Sequence, residues 1–259
     1  MLLVDAGNTR IKWRIVAGRA LVASGAVAIA GVVDLAAAWR SYRLTGALIS
    51  CVAGAEVQAE LARILAASRV AARWLVAERE NHGLINHYDA PEKLGSDRYA
   101  ALIAAARLKL GDCVVACVGT ATTVDRLNRN GEFLGGIILP GPDMMRAALL
   151  GGTGQIESRM RPLDELPASL AASLPRDTAT AVGVGIALAQ AGAISALCGA
   201  MPDVMGNAAG RNADKAPLLI LTGGARDQVR AWLAMELLEI EDLVLEGLAW
   251  IASEPACAS

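Results

Sequence analysis

Aromatic side chains are scarce in this chain: 3% of 259 residues, with a single phenylalanine, Phe133. The 54% apolar content is therefore largely alanine and aliphatic residues, with 26 glycines beside it, which predicts tight packing of small side chains. Excess positive charge is also missing. A formal net charge of −2 and an isoelectric point near 5.8 leave no electrostatic footprint for nucleic acid or for an anionic membrane. The five cysteines, Cys51, Cys113, Cys117, Cys198 and Cys257, form no CxxC and have no histidine at metal-ligand spacing. They suit a reducing cytoplasm as small buried hydrophobes. There is no GxxxxGK[ST] and no GxGxxG, so P-loop and Rossmann dinucleotide folds lose their main support. No basic segment with a long apolar run opens the chain, which predicts no signal peptide. One uncharged run, Thr178–Met201, has the length of a membrane span, but it is built from alanine and glycine and does not have cationic or aromatic anchors on both flanks. It predicts a buried helix or a helix at a subunit interface.

Two stretches stand out. Leu2–Lys12 (LLVDAGNTRIK) and Val114–Asp125 (VVACVGTATTVD) each read as an apolar strand, a tight glycine-containing turn and a second strand rich in β-branched or small residues. Asp, Gly and Asn are ordinary hairpin residues, so the first turn alone need bind nothing. The second copy changes that balance. In both, glycine lets the backbone approach an anion, while Asn8, Thr9 and Thr120 offer hydrogen-bond donors to phosphate oxygens. Asp5, at a strand end, is placed to hold a hydrated Mg²⁺.

The rest of the chain alternates strands and helices. Strands are expected at Ala20–Ala28, Ala47–Cys51 and Ala72–Val76, with helices at Val32–Arg40 and Glu56–Ser68 between them. Residues 77–93 read as a loop; its two histidines, His82 and His87, are expected to be solvated there. Ser96 is expected to cap a helix over Tyr99–Leu110, with Asp97 and Arg98 in its first turn. The opening pattern then returns at Cys113–Val118, Ala121–Leu127 and Phe133–Leu139, which indicates duplication with divergence. A helix over Asp143–Leu150 precedes an irregular excursion containing Pro162, Pro167 and Pro175, and a polar loop over Pro202–Pro217 follows the uncharged run. The strand Leu218–Leu221 delivers Thr222–Gly223–Gly224, either an ordinary turn or a second ligand contact at a strand tip. Helices at Asp227–Met235 and Leu243–Ala252, around a strand Leu237–Ile240, close the chain.

Two duplicated β-β-β-α-β-α-β halves with phosphate-binding hairpins resemble the actin/Hsp70/sugar-kinase superfamily. Within it, Asp5–Thr9, Gly95–Ser96–Asp97–Arg98, Gly119–Thr123 with Asp125, Gly135–Gly136 with Pro140–Gly141, and Thr222–Gly224 together resemble type III pantothenate kinases. That resemblance implies an α/β fold of two ribonuclease H-like (actin-like ATPase) domains, residues 1–111 and 112–259, with a cleft between them. It implies transfer of the ATP γ-phosphate to pantothenate, the first step of coenzyme A synthesis, in a cytoplasmic homodimer that binds neither nucleic acid nor membrane. Asp97 would be the catalytic base. Asp5, Ala6, Gly7, Asn8, Thr9, Arg10, Ile11, Lys12 and Thr120 would bind ATP. Tyr88, Gly95, Ser96, Asp97, Arg98 and, from a partner subunit, Thr178 would bind pantothenate. Asp5 would hold Mg²⁺ through water. Cys117 stands where the family usually places an aspartate that binds a monovalent cation (K⁺ or NH₄⁺); a thiol is a poor K⁺ ligand, so either the cation is not required or another group holds it. The alternative reading is a regulatory family member, a transcription accessory factor that binds nucleotide or pantothenate.

Overall fold

A computed structural model describes residues 1–18, 20–152, 174–200 and 216–254. The excursion expected through Pro162 and Pro167, most of the loop 202–217, and Cys257 lie outside the described residues. The chain divides into two compact units, Met1–Lys109 with Asp242–Ser259, and Leu110–Glu241. The division falls near the expected 111/112 boundary, but the last helix stands with the first unit.

The first unit contains strands β1 (Leu2–Ala6), β2 (Arg10–Ala17) and β3 (Ala20–Ala28). A 3₁₀ stretch Ile29–Asp34, off helical geometry at Gly31, leads into the single turn of helix α1 (Leu35–Trp39), where one helix over 32–40 was expected. Then come β4 (Ala47–Cys51), α2 (Ala55–Ala67) and β5 (Ala72–Trp74). The expected loop 77–93 contains a short antiparallel ribbon of β6 (Glu80–Asn81) and β7 (Leu84–Asn86). Helix α3 (Ser96–Arg107) follows. The second unit comprises β8 (Cys113–Val118), β9 (Ala121–Leu127), β10 (Glu132–Pro140), α4 (Pro142–Gly152), α5 (Thr178–Ser195), β11 (Leu218–Thr222), α6 (Asp227–Arg230) and β12 (Leu237–Glu239). Helix α6 is shorter than the helix expected over 227–235. Helix α7 (Leu243–Ser253) returns to the first unit.

In the first unit the strand order is β3-β2-β1-β4-β5, with β1 to β3 antiparallel and β4 and β5 parallel to β1. The period-2 pattern of β2 explains its two faces. Ile11, Trp13 and Ile15 join Leu2, Val4, Ala6, Ala47 and Ile49 in a core with Leu35, Trp39, Leu61, Ile64 and Leu65. Trp13 and Trp39 meet edge to face, ring centroids 6.3 Å apart. Gly25, opposite Trp13 in register, has no side chain to strike that indole. The other face carries Leu3, Asp5, Lys12, Arg14, Leu48 and Ser50, and helices α3 and α7 pack on that side. Gly247 lets α7 lie directly on α3, because a Cβ there would overlap the Ala100 carbonyl.

In the second unit the same order recurs as β10-β9-β8-β11-β12, with β8 to β10 antiparallel and β11 and β12 parallel to β8. The repeated connectivity is the duplication expected from the two turn motifs. Val114, Ala116, Val118, Leu219 and Leu221 pack with Ala191, Ile194 and Leu197. Helix α5 is capped by Asp177, whose carboxylate accepts the Thr180 N–H at 2.8 Å. Residues Thr178–Gly199 are long and apolar enough to cross a membrane, yet half of that segment is buried within the fold.

Candidate active site

In the first unit, register brings the chemistry together. Asp5 on β1 faces Lys12 on β2 and Ser50 on β4, so three polar side chains lie in one row on the α3/α7 face. The turn between β1 and β2 is closed by the Gly7 N–H donating to the Arg10 carbonyl at 3.1 Å. Asn8, Thr9 and Arg10 are exposed at its tip, whereas Ala6 and Ile11 are buried. The expected ATP-binding stretch 5–12 is thus an exposed tip on a buried stem.

Burial pushes the Asp5 carboxyl up to about 7; the Asp97 and Asp242 charges add to the rise and Lys12 opposes it. Lys12 Nζ is 2.6 Å from Asp242 Oδ1, at the start of α7, and Arg14 binds Asp242 Oδ2 at 3.2 Å and Glu246 at 2.5 Å. Burial raises Asp242, but the hydrogen bonds and charges of Lys12 and Arg14 outweigh it and hold the group below the usual carboxylate range. Lys12 is therefore neither a solvated strand residue nor a loose cation. It is held on the sheet face beside Asp5.

Helix α3 begins differently from expectation. Gly95 occupies the cap position and offers no side chain, so Ser96 is the first helical residue and not the cap. The Ser96 hydroxyl lies 2.9 Å from the Ser50 hydroxyl, with both side chains buried. The Asp97 carboxylate turns back over the helix start and accepts the Arg98 N–H at 2.7 Å. A Cβ on Gly95 would meet Asp97 Oδ1, so glycine is needed for that rotamer. Burial raises the Asp97 pKa, with the Arg98 N–H and guanidinium opposing. A carboxylate in this state accepts a proton more readily than a solvated one. Arg98 is buried; its Nη1 donates to the Tyr88 hydroxyl at 2.7 Å, and its guanidinium carbon lies 5.5 Å from the Tyr88 ring centroid. A guanidinium held by a phenol is suited to a carboxylate ligand.

In the second unit, the turn 118–121 is gripped from two sides. The Gly119 N–H donates to the Ala121 carbonyl at 3.1 Å, leaving Thr120 exposed at the tip. Gly141 presses on this turn from beyond β10, donating its N–H to the Thr120 carbonyl at 2.9 Å; a Cβ there would overlap the Gly119 carbonyl. Gly223, at φ +99, sits against Val118, whose carbonyl accepts the Ala225 N–H at 3.0 Å. Of the Thr222–Gly224 tip, Gly223 therefore shapes the neighbouring turn. Asp125 is buried on β9 and its carboxylate lies over Gly136, which has no side chain to block it. Cys117 is half-buried and stands in register between Thr123 and Thr222. Thr178 is exposed at the start of α5, beside a groove of about 870 Å³ lined by Pro140, Met144, Met145, Val182 and Ile186.

The sequence reading missed Ser50 and Asp242. Ser50 is a lone hydroxyl in an apolar strand, and only register places it beside Asp5. Asp242 is separated from Lys12 by 230 residues. Among the described residues no cluster of three or more His, Cys, Asp or Glu side chains is arranged to hold a metal ion.

Comparison with known proteins gives a consistent result. A family model described as type III pantothenate kinase matches residues 1–200. A relative named type III pantothenate kinase, from Azoarcus sp. strain BH72, is 40% identical over 262 aligned positions, covering 100% of this chain and 93% of that protein. Among solved structures, a candidate Baf family transcriptional activator from Campylobacter jejuni is 19% identical with a TM-score of 0.57, covering 96% of this chain and 95% of that one. A candidate 2-dehydro-3-deoxygalactonokinase from Sinorhizobium meliloti is 16% identical with a TM-score of 0.56, covering 97% of each chain. These two likenesses establish the actin-like, sugar-kinase fold.

Proposed function

The chain belongs to the type III pantothenate kinase family, and on that premise we propose how its residues carry the ATP-dependent phosphorylation of pantothenate that begins coenzyme A synthesis. The observation that carries this reading is the half-buried Asp97 carboxylate at the first turn of α3, flanked by Arg98 and close enough to Asp5 for their charges to interact. Asp97 is the general base: it takes the proton of the primary hydroxyl as that oxygen attacks the γ-phosphorus and ADP departs. Arg98, oriented by Tyr88, pairs with the pantothenate carboxylate, and the Gly95–Ser96 backbone shapes the same pocket. The exposed tip Gly7–Arg10 and Lys12 bind the phosphates of ATP, and Thr120 at the tip of the second turn adds a hydroxyl donor. The hard carboxylate oxygens of Asp5 fit a hydrated Mg²⁺ arriving with ATP. That ion supplies charge neutralisation, while Lys12 fixes a positive charge beside Asp5.

A K⁺ or NH₄⁺ site does not fit as well. Cys117 presents sulfur where an alkali cation needs oxygen, so turnover is expected to be indifferent to the monovalent cation. The groove beside α5, lined by exposed Met144 and Leu149 together with Thr178, supports a homodimer in which Thr178 reaches the partner's substrate. The cysteine usage supports a cytoplasmic location, and the acidic balance supports no role in binding nucleic acid.

The test is release of ADP from ATP, Mg²⁺ and pantothenate. Asp97→Ala is expected to lower kcat by about 10²–10⁴-fold, the usual contribution of a positioned base. In the parent enzyme, rate should fall as pH drops through the raised Asp97 pKa. Undiminished turnover in Asp97→Ala would overturn the assignment.

A further inference from the structure

Ser50 is fully buried on β4, where its neighbours along the strand, Leu48 and Ile49, are apolar. A hydroxyl in such a place is costly unless it is hydrogen-bonded. Its partner is the Ser96 hydroxyl, 2.9 Å away and itself buried. Two features make that bond more than local satisfaction. Ser50 is opposite Asp5 in the β1/β4 register, and Ser96 immediately precedes Asp97. Neither neighbour of Ser96 at the start of α3 offers a comparable bond to the sheet: the cap residue is Gly95, and the Asp97 carboxylate is turned onto the Arg98 N–H. The rest of α3 is apolar from Tyr99 to Ala105 and packs against α7. Apolar packing fixes the helix axis but is non-directional, so a directional bond is needed to set the first turn.

We propose that Ser50 is a positioning residue for phosphoryl transfer: its bond to Ser96 latches the first turn of α3 to β4 and so sets the Asp97 carboxylate relative to Asp5. The inference rests on reading Asp97 as the base. It predicts that kcat, not ATP affinity, depends on the pair, because a base displaced by a fraction of an ångström loses alignment while the nucleotide turn is untouched.

The experiment compares the parent enzyme with Ser50→Ala, Ser96→Ala, the double variant and Asp97→Asn. Thermal midpoint, kcat, both KM values and the pH profile of kcat are measured for each. Each serine variant should lose kcat by about tenfold or more, with KM for ATP within about twofold and the acid limb moved to lower pH as Asp97 gains solvent. Each single variant leaves a buried hydroxyl unpaired, whereas the double variant leaves none. The double variant should therefore recover thermal midpoint but not kcat, with a kcat loss no greater than either single change. Recovery of kcat together with the midpoint, or an unmoved acid limb, would overturn the latch. A rise in pantothenate KM confined to Ser96→Ala would mean a direct substrate contact by Ser96 and would also overturn it. Should Ser50→Ala fail to fold, Ser50→Cys keeps the volume with a weak hydrogen-bonding group, and parent-like kcat there would refute the proposal. An active Asp97→Asn would defeat the base assignment itself. An inactive Asp97→Asn with parent-like serine variants would defeat this inference alone.

Discussion

The Asp5→Asn variant should be more stable than its parent at neutral and alkaline pH, although it loses function. The folded protein holds the Asp5 carboxyl at about 7, against 3.8 for an unperturbed aspartate, mainly through burial and the Asp97 charge. Folding at neutral pH therefore requires either proton uptake or burial of a poorly compensated charge. For an acid whose pKa is raised on folding, the stability present below 3.8 is lost progressively as pH rises to about 7. At 1.36 kcal/mol per tenfold change in proton affinity, that interval corresponds to about 4 kcal/mol. Asparagine has nearly the same shape and no charge, so it escapes this loss. The measurement is chemical denaturation of both proteins without nucleotide at pH 5, 6 and 8. The stability difference in favour of Asp5→Asn should grow by about 1.4 kcal/mol per pH unit and level off above pH 7. A pH-independent difference, or a variant weaker than the parent at pH 8, would refute the argument that a poorly compensated charge sits there.

Three further outcomes follow from the same geometry. Gly247→Ala should destabilise the first unit by about 1–3 kcal/mol, because its Cβ would enter the Ala100 carbonyl where α7 crosses α3; a lower thermal midpoint with weakened amide protection in α3 checks this. Gly141→Ala and Gly223→Ala should each raise KM for ATP and lower kcat while leaving amide protection in the first unit intact, since both residues mould the turn that carries Thr120; unchanged kinetics in both would sink that role. The parent enzyme should turn over equally in K⁺ and Na⁺, whereas Cys117→Asp should respond to K⁺, a contrast read directly from initial rates in the two salts.

Much of this was legible from residue order because it is written in local patterns. The alternation of Ile11, Trp13 and Ile15 with Lys12 and Arg14 predicts a half-buried strand, and the glycine turns at Gly7 and Gly119 predict the hairpins on either side. The bounds of β3, β4, β8 and β9 agree with expectation residue for residue. What escaped is non-local. Ser96 looked like a cap because serine commonly serves as one; burial against Ser50 overrode that local preference. The pairing of Lys12 with Asp242 has no signature in either segment, since it depends on where α7 docks. The helix expected over 227–235 ends at Arg230, although Val229 and Leu233 are both buried. A short apolar pattern can be satisfied by one helical turn as well as by two.

The docking of α7 on α3 has a consequence for how the protein is made. The second unit is inserted into the first, so during synthesis the first unit must wait for the entire second unit before receiving the helix that covers Asp5 and pairs with Lys12. The part of the chain that emerges first is completed last. Until then the surface of α3 around Ala100, on which Gly247 packs in the finished fold, lacks the cover of α7 and stands open to water.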